Sequence, residues 1–163
     1  MFYEFNQNNS GGRFVVNDSL CNRLFIEADD KDEAISKAEE LGCYWDGVAE
    51  GIDCPCCGDR WSNYFLKGIG EDDRIFKEYS VDVYSGYKDA VSKWYDRYGK
   101  YEIVEKPHLT KGYSVDFYTG KIKFKNIEEY AQFLADEYGW TTPDVRIFYK
   151  DGTVKEIFKT EER

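Results

Sequence analysis

Residues 23–42 read RLFIEADDKDEAISKAEELG, and this stretch decides the fold class. Residues 23–28 read as a strand, with Leu24, Phe25 and Ile26 as its apolar run. Asp29 or Asp30 then caps a helix, and the acids that follow suit the positive end of its dipole. Ala34, Ile35, Ala38 and Leu41 recur at helical spacing, and Gly42 ends the helix. Strand and helix recur loosely at the other end of the chain. Residues 127–138 carry Tyr130, Phe133, Leu134 and Tyr138 on one face, and Gly139 closes that helix. Residues 145–149 and 153–158 then flank Asp151-Gly152, a hairpin signal.

The remaining segments fit the same class. Residues 1–5 predict a short strand, 6–12 (NQNNSGG) a polar turn, and 13–16 a further strand. Residues 43–63 mix Gly, Asp and Cys without periodicity and predict a loop organised by a metal. A strand pair is expected within 74–84, and a helix over 86–98 with Tyr87, Val91, Trp94 and Tyr98 along one side. Residues 101–104 and 113–118 are strand-like, and the alternation of 121–125 (KIKFK) is that of an edge strand. Trp45, Trp61 and Trp140 are expected in the core. The sum is an α+β chain of short antiparallel strands, about three helices and a zinc-organised loop.

The chain has 163 residues, 18% of them aromatic, with a formal net charge of −10. Residues 1–73 hold 16 acids and 6 bases, whereas 74–163 hold 16 of each, so the whole imbalance lies in the N-terminal part. The shift suggests an acidic module over 1–70 and a charge-balanced one over 71–163, or one continuous domain. Such a charge repels nucleic-acid backbones and anionic membranes and attracts basic protein surfaces. No apolar run approaches the ~20 residues of a membrane span. The N-terminus lacks the basic start and apolar stretch of a signal peptide, so the expected location is the cytoplasm. Five cysteines there point to metal binding or buried thiols rather than disulfides.

Cys54-Pro55-Cys56-Cys57-Gly58 carries the chemistry. Two thiolates at this spacing grip one ion when the backbone turns tightly, and proline and glycine favour that turn. Amides within the turn then face the sulfurs. Tetrahedral zinc wants four ligands, so Cys54 and Cys57 need partners. Cys56 and Cys43 are the first candidates; Asp53, Cys21 and the single histidine, His108, are the others. Against a deaminase-type centre, no His-x-Glu motif precedes the cysteines. One structural Zn2+ is therefore expected, not a catalytic one. A redox pair is disfavoured because Gly58-Asp59-Arg60-Trp61 is a poor helix start.

The acids Asp29, Asp30, Asp32, Glu33, Glu39 and Glu40 surround the first helix, and Glu71, Asp72 and Asp73 form a second cluster. They are either a solvated surface or a face that seeks a basic partner. No phosphate-binding glycine loop or serine–histidine arrangement is legible.

The opening MFYEFNQNNSGG (1–12), the later GCYWDGV (42–48) and DCPCCGDRW (53–61) resemble a family of small phage-encoded proteins. The resemblance covers residues 1–62. Small acidic zinc proteins of this sort look similar to prophage anti-CRISPR proteins, in particular a zinc-containing inhibitor of the type II RNA-guided nuclease. The resemblance implies a stoichiometric inhibitor in the host bacterial cytoplasm that docks on the nuclease and blocks target DNA loading. The acidic N-terminal half would engage that basic protein, with no direct contact to nucleic acid or membrane. The rival expectation is a zinc-dependent phage enzyme acting on a nucleotide or signalling molecule.

Overall fold

A computed structural model describes residues 1–64, 66, 68–69, 75–82 and 87–160, with the backbone alone for 75–82 and for 87. Among the described residues the fold is α+β, with three α-helices and short strands in two sheets. The chain divides into two compact units, residues 1–72 with 127–163, and residues 73–126. The expected charge-balanced module over 71–163 is therefore split, because its last helix and hairpin join the N-terminal unit.

In the first unit, strands β1 (Phe2–Asn6), β2 (Arg23–Glu27), β3 (Gly68–Ile69), β7 (Val145–Phe148) and β8 (Val154–Ile157) form one sheet in the order β3-β1-β2-β7-β8. All neighbours are antiparallel except β2 and β7, which run parallel. β2 is central and buried on both sides, which explains its unbroken apolar run. Leu24 and Ile26 join the cluster of Ala34, Ala38 and Trp61. Between them, Phe25 meets the Tyr130 ring edge-on at 5.8 Å. Helix α1 (Lys31–Leu41) thus covers one face, and α3 (Ile127–Tyr138) the other.

Asp30 proves to be the cap of α1, accepting from the Glu33 N–H at 2.8 Å. Glu33 reaches back to the Asp29 N–H at 2.9 Å, a reciprocal capping pair. The Asp151-Gly152 turn joins β7 to β8 as expected, with the Asp151 carboxylate accepting from the Thr153 N–H. Residues 13–16, however, form no strand. The Gln7 side chain donates to the Val15 carbonyl at 3.0 Å and satisfies that segment without a ladder.

The second unit is a three-stranded sheet in the order β4-β6-β5, with β4 (Ile75–Asp82), β5 (Glu102–Thr110) and β6 (Phe117–Phe124), plus helix α2 (Tyr87–Tyr98). Two expectations are corrected here. Within 75–82 there is one strand, not a pair; residues 74, 83 and 84 lie outside the described ones. The lysine-alternating tract is the central strand β6, not an edge. Its alternation separates a buried side, with Ile122 and Phe124, from a half-exposed side where Lys123 pairs with Glu102 at 3.6 Å. On α2, Ala90, Trp94 and Tyr98 are buried, at helical spacing.

Candidate functional site

The cysteine loop, residues 43–64, rests on a buried polar frame. Asp53 and Arg60 are only 6% and 7% exposed. The Asp53 carboxylate accepts from the Tyr44 hydroxyl at 2.6 Å and from the Arg60 N–H at 2.8 Å. Burial, and next the bond to Asp53, raise the Tyr44 hydroxyl above its ordinary pKa, so it remains a donor. The Arg60 guanidinium donates to Gln7 Oε1 at 2.9 Å and to the carbonyls of Arg13 and Ser10 at 2.8 Å each. Gln7 in turn donates to the Cys21 carbonyl at 2.9 Å. A buried charge pair is tolerated only when such further bonds satisfy it.

The polar turn at 6–12 is thus the foundation of the cysteine loop. Asn8 donates its amide to the Cys57 carbonyl at 2.6 Å, and its N–H meets the Arg60 carbonyl at 2.8 Å. Ser10 Oγ accepts from the Cys54 N–H at 3.1 Å. Gly47 is required by close approach: a Cβ there would lie 1.9 Å from an Asp53 carboxylate oxygen.

Within the knuckle, the Cys57 and Gly58 N–H groups both donate to the Cys54 carbonyl, at 3.2 and 3.1 Å. Gly58 closes the turn at φ +87°, a conformation that favours glycine. Backbone N–H groups of Cys56 and then Cys57 reach the Cys54 sulfur and hold its thiol below the ordinary pKa. The thiols of Cys57 and Cys56 also contact that sulfur. Cys56 and Cys57 are exposed. This is a turn prepared for thiolate, and it fits two ligands of a soft divalent ion.

The wider ligand set does not assemble. Among the described residues, no group of three or more His, Cys, Asp or Glu side chains is placed to hold a metal. Cys43 is buried beside Ala34, Ala38 and Trp61, and burial pushes its thiol up to about 12. Cys21 is wholly buried, donates to the Arg23 carbonyl at 3.2 Å, and is pushed up to about 11, chiefly by burial. Asp53 has its carboxylate engaged as above. His108 lies on β5 in the other unit, 3.5 Å from Glu105.

The acids around α1 have local roles too. Asp30 and Glu33 cap, Glu33 pairs with Lys37 at 3.1 Å, Asp29 pairs with Lys150, and Glu39 accepts from Trp45 Nε1 at 2.7 Å. Asp32 and Glu40 are exposed. Glu71, Asp72 and Asp73 lie outside the described residues. Trp61 is core, Trp45 is half-buried, and Trp140, expected inside, is 72% exposed because it follows the end of α3. Sequence reasoning missed Gln7, Asn8 and Arg60 as the loop's supports. The signal for them was the recurrence of amide side chains in 6–9 and one arginine beside the cysteines.

A family model described as a domain of unknown function (DUF7296) matches residues 1–162. The chain belongs to that family, and the match runs through both units. No curated protein and no solved structure matches it. Among the described residues, no helix is long and apolar enough to cross a membrane.

Proposed function

We propose that this protein is a non-enzymatic binding protein that docks on a basic protein surface through its 43–64 loop. The observation that carries the reading is the makeup of that loop. Ile52 and Tyr64 are 62% and 64% exposed, set among exposed Asp46 and Glu50, on a frame whose own polar groups are buried. Apolar and aromatic anchors within a charged rim are the anatomy of an interface. Tyr64 is held in place by its hydroxyl bond to Asp46 at 2.6 Å, so little side-chain freedom is lost on docking. Asp32 and Glu40 add to the negative field that steers association. One zinc ion at Cys54 and Cys57 fixes the crest of the loop.

The resemblance to prophage inhibitors narrows the partner to the type II RNA-guided nuclease, whose nucleic-acid channel is basic. Occupation of such a channel would block target DNA loading. The test is binding of the purified protein to that nuclease, with and without guide RNA, across a salt series. A one-to-one complex that weakens with salt is expected, and Ile52→Ala with Tyr64→Ala should weaken it at least ~10-fold. Absence of a complex at low salt contradicts the nuclease assignment. Loss of binding on acid removal alone, with the anchors immaterial, contradicts the loop as the docking surface.

A further inference from the structure

Zinc that shapes a protein takes four ligands, and this loop offers thiolates. Cys54, half-buried, and Cys57, exposed, stand together on one turn. Other nearby donors are committed elsewhere. Cys43 and Cys21 are buried in the apolar core, Asp53 serves Tyr44 and Arg60, and Asp59 accepts from the Val48 N–H at 2.9 Å. Cys56 also reaches the Cys54 sulfur, yet among the described residues no three such side chains are placed together to hold a metal. The turn is nonetheless prepared: Asn8 and Ser10 fix its backbone from below, and Cys57 faces outward.

A two-thiolate clip with one thiol exposed is half of a tetrahedral site. The molecule that always presents the matching half, at the same concentration, is a second copy of the chain. A two-fold axis through one ion exchanges the two pairs and closes the assembly. We propose that one zinc ion is shared between two copies of this protein, each giving Cys54 and Cys57. This rests on the zinc reading above and names what completes that site. It also makes the Cys54–Cys57 turn an interface between copies.

Charge sets a further condition. Each copy carries −10, and Asp46 and Glu50 are exposed on the same loop. Two such loops repel without the ion, so association is metal-dependent, and added salt strengthens it. Docking on a basic partner has the opposite salt dependence, which separates the two assemblies.

The experiment is a zinc titration of the chelator-stripped full-length protein, followed by sedimentation velocity and by metal content. Mass should double and saturate at half an equivalent of zinc per chain, and chelator should reverse it. Cys57→Ser should abolish both doubling and zinc retention, whereas Cys56→Ser and Cys43→Ser should keep both. Cobalt in place of zinc should give a thiolate charge-transfer band with the same half-equivalent end point. Circular dichroism of Cys57→Ser guards against misfolding, and its exposed position predicts an unchanged spectrum. A monomer holding a full equivalent overturns the sharing and leaves the zinc reading intact. No zinc retained at micromolar free metal overturns both, while the salt-dependent partner assay stands or falls separately.

Discussion

Arg60 is the residue on which the cysteine loop depends. Its guanidinium ties Gln7, Ser10 and Arg13 to a segment some 50 residues later in the chain. Arg60→Ala should leave the Asp53 carboxylate buried beside an empty space and cost ~3–5 kcal/mol, read from urea denaturation. The thiols give a pH prediction. Cys21 and Cys43 are held protonated by burial up to about 11 and 12, against an ordinary value of 9.0. The unfolded chain releases these protons first, so their contribution is intact below pH 9.0 and declines as pH rises towards 11–12. The slope is about 1.4 kcal/mol per pH unit for each thiol. Cys54 acts oppositely, because its lowered pKa adds stability that is lost as pH falls through that value. Urea melts from pH 8 to about 10.5 should decline less steeply for Cys43→Ala than for the native chain.

At the scale of elements, local signals were readable where one short stretch contains the whole cause. The β2–α1 unit has its apolar run, cap and closing glycine within residues 23–42, and the structure follows that reading closely. Asp30→Ala removes the cap and should cost ~1 kcal/mol in thermal or urea unfolding, with Asp29→Ala costing less. The β7–β8 hairpin and α3 were legible for the same reason. Residues 13–16 were not, because a side chain, that of Gln7, rather than a neighbouring strand, satisfies their backbone. Strand β6 was misplaced as an edge because a half-exposed central strand alternates in the same way. The knuckle was visible as a motif. The frame beneath it was not, since Gln7–Arg60 contacts span 53 positions and leave no periodic trace.

At the scale of the molecule, the chain leaves the first unit near residue 72 and returns to it at 127. The charge boundary near 73 marks the departure; nothing in composition marks the return. The parallel pairing of β2 with β7 is the consequence, and it joins segments about 120 residues apart. A chain ending at 126 loses β7, β8 and α3 together and uncovers Phe25 of the central strand. Such a truncation should abolish cooperative unfolding, checked by near-ultraviolet circular dichroism. What the whole assembles in the first unit is a small sheet-and-helix body carrying one braced thiol turn. X-ray absorption at the zinc edge, on protein purified without added metal, tests that claim most directly. Four sulfur neighbours at about 2.3 Å are expected; a nitrogen and oxygen shell, or no zinc signal, would contradict it.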